Sequence, residues 1–383
     1  MDEEQYVCME DVRDSALRRE LEGYLDPGTC SFCGSGTAGV VSFEVFMEEV
    51  MSAVYWRFQR ANDAGVPRED GDWAEATMNF HEVVQDTLWG AVDWAVADAV
   101  EAYDDGDAWV YRDYPWPNLD VAMRRGWRDF CELVYAHDDA VLLPQEERQW
   151  GYGMYGPREV LDHICEMAKR LGLIVPLPEG SRLWRSRIAD APVNCTASEM
   201  GPPPVRRAAP NRMSPAGVSM FYAAEDARTA QREVTAHRSD LGAQHLTTCA
   251  FSVAHYDCWI LDLTDLPEVP SIFDHQQRNL YAFADFMQHF AAELTKPIPL
   301  DGTQHREYRP TQVFTQYLYR HAPLGVNGIK FRSAQDSDGI NYVLFAGPED
   351  CTDAQSQKPE HLLLIEPATM MHMRIEPSDQ ESV

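Results

Sequence analysis

The spacing of apolar residues changes near residue 175, and this change divides the chain into two kinds of sequence. Before it, apolar residues recur every three or four positions, as they do on one face of a helix. The pattern predicts four helices: Ser42 to Arg60, Phe80 to Tyr103, Leu119 to His137, and Pro157 to Gly172. After it come short runs rich in β-branched and aromatic residues, such as HLTTCAFSV and INYVLFAG, which predict strands. We therefore predict an α+β protein, with an N-terminal α-helical domain followed by a mixed, mostly antiparallel sheet.

The same pattern sets the predicted domain limits. A cysteine-containing segment occupies residues 1–40, the helical domain 41–175 and the sheet domain 176–375, and a polar tail follows at 376–383. Two helices are predicted to interrupt the strands, near Ala224 to His237 and near Asn279 to Leu294.

Charge and cysteine content exclude several classes of protein. The chain has 62 acidic and 32 basic residues, a net charge of −30, which repels nucleic acids and anionic membranes. Its first residues lack the basic and apolar segments of a signal peptide. Nine scattered cysteines suit reduced thiols better than a disulfide framework. We expect a soluble cytoplasmic protein that binds no membrane and for which nucleic acid is a disfavoured partner.

A pair of cysteines near the N-terminus has the spacing of half a zinc site. Cys30 and Cys33 stand in a C-x2-C turn followed by glycine, and upstream Cys8 and Asp11 repeat that spacing. The four side chains predict a structural zinc site with one carboxylate ligand. The alternative is a degenerate turn that no longer binds metal, because one C-x2-C is weak support.

Three residues in the stretch from Asn211 to Val234 are unremarkable when each is considered alone. Arg212 and Glu233 suit exposed positions, and Tyr222 suits a packed strand. The stretch nevertheless resembles a motif of the RES-domain family, named for its Arg, Glu and Ser residues. Other segments resemble that family in the same order: LWRSR (183–187), EYRPTQVFTQYL (307–318) and GIKFRSAQDSDGINYVLF (328–345).

The resemblance covers residues 180 to 347, with two departures. Asn211 stands where glycine is usual, and Ser214 stands where asparagine is usual. The first half resembles the HEPN-related helical domain that precedes long-form RES domains, although Asp11 departs from its cysteine turn. The resemblance implies a split sheet like that of ADP-ribosyltransferases, with NAD+ as the substrate.

The resemblance also implies which charged groups act on NAD+. Cleavage of its nicotinamide–ribose bond leaves a cationic ribose, which the carboxylate of Glu233 would stabilise. Arg212 would bind the pyrophosphate together with Arg185 or Arg187, and the sequence does not decide between the last two.

Two further residues are assigned to NAD+ through the resemblance. The ring of Tyr222 would pack on the nicotinamide. Ser333, at a predicted strand end, would bond the carboxamide or a ribose hydroxyl.

The sequence is compatible with several functions. With inorganic phosphate as acceptor the enzyme is an NAD+ phosphorylase, with water a glycohydrolase, and with protein an ADP-ribosyltransferase. The resemblance implies a toxin restrained by an antitoxin or immunity protein, and phage defence would extend that role. Two alternatives are a HEPN-type ribonuclease, for which Arg158 and His163 have suitable spacing, and a non-catalytic interaction protein.

Overall fold

The computed structural model describes residues 4–36, 39–69, 72–73, 76–136, 155–236, 244–254, 257–297, 304–321 and 323–375. The helices are α1 (Ser15–Leu21), α2 (Phe43–Arg57), α3 (Phe80–Leu88), α4 (Trp94–Glu101), α5 (Leu119–Ala136), α6 (Pro157–Arg170), α7 (Ala197–Met200), α8 (Ala227–Thr235), α9 (Tyr281–Thr295), α10 (Gln304–Glu307) and α11 (Arg309–His321). The strands are β1 (Tyr6–Cys8), β2 (Val40–Ser42), β3 (Phe58–Arg60), β4 (Arg68–Glu69), β5 (Asp72–Trp73), β6 (Trp109–Tyr111), β7 (Ile174–Pro176), β8 (Arg182–Ala189), β9 (Phe221–Ala224), β10 (Gln244–Val253), β11 (Trp259–Asp262), β12 (Gly328–Arg332), β13 (Ile340–Leu344), β14 (Cys351–Thr352) and β15 (Leu363–Ile375).

Backbone contacts group the described residues into two compact units. The first unit contains residues up to Arg125, together with Tyr155 and Glu268–Asp285, and the second contains the remainder. The domain limits predicted from the sequence, at residues 40, 175 and 375, remain predictions. The predicted tail lies outside the described residues.

The first unit is mostly helical, as predicted. Helix α2 begins after Ser42, whose hydroxyl accepts a hydrogen bond from the Val45 amide at 3.3 Å. Its face carrying Phe46, Val50 and Val54 is fully buried. The predicted end at Arg60 is three residues too long, because Phe58–Arg60 forms β3 and pairs with β6.

The single helix predicted from Phe80 to Tyr103 is wrong, because two helices, α3 and α4, occupy this range. Gly90 between them has a φ of 75°, a left-handed conformation that breaks the helix. Asp93 then caps α4, since its side chain accepts a hydrogen bond from the Ala95 amide at 3.2 Å. The Ala91 carbonyl, which lies between the two helices, accepts hydrogen bonds from the backbone amides of Arg13 and Asp14.

The other predicted helices are present. Helix α5 matches its predicted range apart from His137, which lies outside the described residues, and α6 ends before Gly172, whose φ is 68°. Helix α1, capped by the Asp14 side chain, was not predicted. In the described part of the chain, no helix has both the length and the apolar character needed to cross a membrane.

The second unit is organised by a nine-stranded sheet with the order β14-β15-β10-β8-β9-β13-β12-β11-β7. Its pairings are antiparallel except for β11 with β12 and β14 with β15. The predicted mixed, mostly antiparallel architecture is therefore confirmed. Strands β8 and β9 are joined by one residue pair, Trp184 with Ala224, so the sheet has a weak junction at its centre.

One pair of cysteines departs from the expectation of reduced thiols. Cys195 and Cys249 form a disulfide although they are 54 residues apart. Cys249 lies on β10, and the loop that follows β8 brings Cys195 to it. No spacing rule could indicate this pair, because the sheet topology creates it.

Candidate functional site

A cavity of about 550 Å³ lies beside the β8–β9 junction of the second unit. Its walls come from β8, the loop before β9, helix α8 and the start of β13. Four lining residues carry guanidinium groups: Arg185, Arg207, Arg212 and Arg332. Among the described lining residues, Glu233 is the one with a carboxylate. The cavity is therefore strongly cationic although the chain has a net charge of −30.

Glu233 projects from α8 and is half-buried. Helix α8 begins after Asp226, because the Asp226 carboxylate accepts a hydrogen bond from the Thr229 amide at 2.9 Å. One oxygen of Glu233, Oε1, accepts hydrogen bonds from Asn341 Nδ2 at 2.6 Å and from Ser333 Oγ. Within the described residues Oε2 accepts none, so it is the oxygen available to a ligand.

Ser333 follows β12 and is buried. Its Oγ donates to Glu233 and accepts from the backbone amides of Gln335 and Asp336, each at 3.0 Å. A hydroxyl has one hydrogen and two lone pairs, so all three positions are used. The predicted bond from Ser333 to a carboxamide or ribose hydroxyl would require exchange of one of these bonds.

The turn between Ser333 and β13 is fixed by charge and by close packing. Asp336 accepts hydrogen bonds from Arg232 Nη1 at 2.7 Å and from Thr229 Oγ1 at 3.2 Å. A Cβ atom on Gly339 would lie 2.6 Å from Thr229 Cγ2, so only glycine fits. The turn is thereby attached to the helix that carries Glu233.

Arg185 and Arg187 have different surroundings although both lie on β8. Arg185 lines the cavity and donates through Nη1 to the Tyr222 carbonyl, and its solvent-shielded Nε has no hydrogen-bond partner in the part of the chain that the structure describes. Burial lowers the pKa of Arg185 to about 10. Arg187 instead donates to the Gly201 carbonyl at 2.9 Å and is not among the lining residues. The structure thus brings Arg185, and not Arg187, to the cavity wall.

Arg212 reaches the cavity from the loop before β9. Its Nη1 donates to the Leu294 carbonyl at 2.9 Å, and its guanidinium carbon lies 5.5 Å from the ring centroid of Tyr308. Burial lowers the pKa of Arg212, while Tyr308 and Glu233 oppose that shift. A buried cation beside a cavity favours an anionic ligand.

The two departures from the family pattern form the turn around Arg212. The Asn211 amide donates to the Ser214 carbonyl at 2.8 Å, and the Ser214 amide donates back at 3.3 Å. Ser214 is buried, and its hydroxyl shares a hydrogen bond of 2.8 Å with the Tyr222 hydroxyl. These substitutions therefore keep a closed turn beside the cavity.

Two residues at the start of α11 hold this turn, and sequence reasoning gave them no role. Thr311 Oγ1 donates to the Arg212 carbonyl. Gln312 Nε2 donates to the Asn211 carbonyl at 2.7 Å and to the Ser214 carbonyl at 3.3 Å. The Pro-Thr-Gln segment is part of the family pattern, but the sequence does not show which residues it contacts.

Tyr222 is a half-buried residue of β9 that lines the cavity. Burial raises the pKa of Tyr222, although its hydrogen bond with Ser214 opposes the shift. The side chain is therefore a neutral ring at physiological pH. Such a ring presents an apolar face to a ligand.

The four predicted metal ligands converge in the first unit. Their ligand atoms, one each from Cys8, Asp11, Cys30 and Cys33, all lie within 4.8 Å of one another. Cys30 Sγ lies 3.0 Å from Asp11 Oδ2, and the sulfurs of Cys8 and Cys33 are 3.4 Å apart. Three sulfurs and one oxygen at this separation suit tetrahedral zinc.

The two residues of the ribonuclease alternative lie on α6, in the second unit. His163 Nδ1 is 2.8 Å from the Glu159 carbonyl, and Arg158 Nε is 3.9 Å from Asp162. Both residues are therefore engaged with neighbours on their own helix.

Comparison with protein families assigns both halves of the chain. Residues 182–365 match the RES domain, and residues 25–149 match HEPN/RES N-terminal domain 1. Arg158 and His163 lie outside the second match. No curated protein matches the chain. Because the two matches occur in the order of the long form and together cover most of the sequence, the chain belongs to the RES-domain family and carries the HEPN/RES N-terminal domain.

Proposed function

We propose that the protein cleaves the nicotinamide–ribose bond of NAD+, with inorganic phosphate or water as the acceptor. Membership of the RES family supports a toxin-like, NAD-related enzyme function. The observation that carries the finer proposal is the cavity, whose lining residues include four arginines and one glutamate. This arrangement suits a substrate with an anionic body and a centre that becomes cationic during the reaction.

The guanidinium groups would bind the pyrophosphate. Arg185 and Arg212 lie in the cavity wall, are partly desolvated and have lowered pKa values. An anion would compensate the cost of their burial, and forked hydrogen bonds match the geometry of phosphate oxygens. The resemblance leaves Arg185 and Arg187 open, and the cavity lining supports Arg185, because Arg187 is not a lining residue and donates to the Gly201 carbonyl.

Glu233 would stabilise the reacting ribose. Departure of neutral nicotinamide leaves positive charge spread over the ribose ring and its oxygen, and a fixed carboxylate stabilises this charge most strongly in the transition state. The acceptor oxygen then forms the new bond at the same carbon. Water releases a proton to the medium in this step, whereas phosphate attacks through an oxygen that already carries negative charge. The apolar face of Tyr222 would pack on the nicotinamide.

The identity of the acceptor defines the biological role. Phosphate or water as acceptor would deplete NAD+, which suits a toxin restrained by an antitoxin or immunity protein, or a phage-defence effector. A protein acceptor would make the chain an ADP-ribosyltransferase and is the alternative. The toxin role is what the family resemblance implies, whereas the three reactions share one cationic ribose intermediate.

We also propose that the first unit binds a structural zinc ion through Cys8, Asp11, Cys30 and Cys33. The compact cluster of three thiols and one carboxylate supports this proposal. Zinc would replace the hydrogen bonds that now join these side chains and would tie β1 to the C-x2-C turn.

The test measures nicotinamide release from NAD+ by chromatography, with and without inorganic phosphate. We expect release by the wild-type protein, and a loss of at least about 100-fold in Glu233→Gln, because the fixed charge is removed. Glu199→Gln is the matched control, since Glu199 lies outside the cavity lining and pairs with Asn194.

The products identify the acceptor. ADP-ribose 1''-phosphate indicates phosphate, ADP-ribose indicates water, and a modified protein band indicates protein. Wild-type release that persists undiminished in Glu233→Gln would contradict the role of this carboxylate. Folded wild-type protein that releases no nicotinamide under any condition would contradict NAD+ cleavage and favour the non-catalytic alternative.

A further inference from the structure

We propose that Asn341 is a positioning residue that orients the Glu233 carboxylate for reaction, an inference that rests on the proposed function. Asn341 Nδ2 donates to Glu233 Oε1 at 2.6 Å. Asn341 is buried and belongs to β13, where its backbone lies between Phe331 of β12 and Ala224 of β9. The donor is therefore held by a central strand with neighbours on both sides, which fixes its position more firmly than a loop would.

Two donors acting on the same oxygen restrict the carboxylate. The terminal torsion of a glutamate is broad when nothing holds it. Here Asn341 of β13 and Ser333, the residue that follows β12, both donate to Oε1. Rotation of the carboxylate would break both bonds, so Oε2 remains as the oxygen that faces a ligand.

Ser333 and Asn341 are not equivalent supports. The position of the Ser333 hydroxyl depends on the turn that contains Asp336 and Gly339. Asn341 lies within a strand and requires no such turn. Its amide nitrogen can only donate, so its bond to Glu233 has one direction and holds Oε1 in place. A charge that is oriented before reaction requires no reorganisation in the transition state.

The first test is kinetic. Asn341→Asp keeps the shape of the side chain but replaces the donor with an acceptor. We expect kcat for nicotinamide release to fall about 10- to 100-fold, the loss typical of a hydrogen bond to a charged group, while KM for NAD+ changes less than about twofold. A change in KM alone would overturn the proposal, because it would place Asn341 in substrate binding.

The second test asks whether Asn341 acts through Glu233. Asn341→Ala is measured alone and in the Glu233→Gln background. If Asn341 only orients the carboxylate, the second substitution causes no further loss of kcat in that background. An equal loss in both backgrounds would overturn the proposal and indicate a general structural role.

The chain provides a matched control cycle. Asn194 Nδ2 donates to Glu199 Oε1 at 3.0 Å, the same chemical pair at an exposed position outside the cavity lining. Asn194→Ala and Glu199→Gln should leave kcat and KM unchanged. A loss of kcat in these variants as large as that in Asn341→Ala would overturn the assignment.

Urea unfolding of the same variants separates this inference from the proposed function. Asn341→Ala and Glu233→Gln should shift the unfolding midpoint non-additively because their side chains are bonded. Additive shifts would overturn the contact even in an active enzyme. A wild-type protein that releases no nicotinamide refutes NAD+ cleavage and the positioning role with it, whereas non-additive shifts would still establish the bond.

Discussion

Arg185 shows how burial and charge are balanced at a single residue. It is fixed on β8 and donates to the Tyr222 carbonyl, and its shielded Nε has no partner among the described residues. Burial lowers its pKa to about 10, so the guanidinium remains charged at physiological pH, and no carboxylate in the described part of the chain pairs with it. This cost is offset when an anion enters the cavity, as the proposed pyrophosphate would.

Substitution of the two β8 arginines should separate binding from structure. We expect Arg185→Lys to raise KM for NAD+ about 10-fold or more with a smaller change in kcat, because an ammonium group cannot make forked bonds to phosphate. Arg187→Lys should change KM less than about twofold, since Arg187 contacts Gly201. Steady-state kinetics of both variants measures this difference. The reverse order of effects would place Arg187 at the pyrophosphate.

At the scale of elements, α11 supports the site from outside the cavity, since the lining residues include Tyr308 just before the helix and none of Arg309–His321. Its first turn donates hydrogen bonds through Thr311 and Gln312 to three carbonyls of the Asn211–Ser214 turn. Among the described residues, the backbone bridge of this segment is the one between Asn211 and Ser214, so α11 helps to determine where Arg212 lies. The helix therefore contributes to substrate binding through backbone geometry.

Loss of the hydrogen bonds from α11 to the Asn211–Ser214 turn should affect KM for NAD+ more than kcat. We expect Gln312→Ala to raise KM for NAD+ about 3- to 10-fold, because two carbonyls lose a donor and the turn carrying Arg212 loosens. The matched control is Arg320→Ala, an exposed position on the same helix. Kinetics of both variants tests the difference, and an unchanged KM in Gln312→Ala would show that the turn holds without α11.

The cysteine cluster is the second element whose role can be measured. Elemental analysis of the purified protein should give about one zinc per chain, and Cys30→Ser should lose it together with part of the thermal stability. Cys131→Ser, a half-buried thiol outside the cluster, is the control. Wild-type protein that takes up no zinc from a zinc-containing medium would show that Asp11 has made the site degenerate.

The elements differ in how far their sequence determines them. Helices α2, α5 and α6 could be predicted because each has one apolar face and a clear beginning. The break at Gly90 was not predicted, since the same apolar stripe continues on both sides of it. The left-handed φ of Gly90, the Asp93 cap and the contacts of the Ala91 carbonyl separate the two helices.

The site was predictable only in part. Arg212, Tyr222 and Glu233 fall within one recognisable stretch, whereas the choice between Arg185 and Arg187 depends on packing around β8. Asn341 carried a visible signal, the Gly-x-Asn segment, but its bond to Glu233 joins residues 108 apart. The roles of the site residues remain predictions.

At the scale of the whole molecule, a chain with a net charge of −30 contains a cavity lined by four arginine residues. Charges on exposed surfaces are screened over about 8 Å at physiological salt, so a small ligand inside the cavity is governed by the nearby arginines. A long polyanion such as RNA extends beyond the cavity, and most of its phosphates would lie close to the acidic surface. We therefore expect the protein to bind small anions in the cavity and to bind nucleic acids weakly.

Binding and degradation of RNA provide the last prediction. We expect a Kd for single-stranded RNA weaker than about 10⁻⁴ M at physiological salt and no RNA cleavage, because the acidic surface offers few contacts to phosphates. Arg158→Ala and His163→Ala should leave nicotinamide release unchanged, since both residues are engaged within α6 and outside the cavity lining. RNA that the wild type degrades, and these variants do not, would instead place the activity on α6. The cationic cavity would then need another explanation.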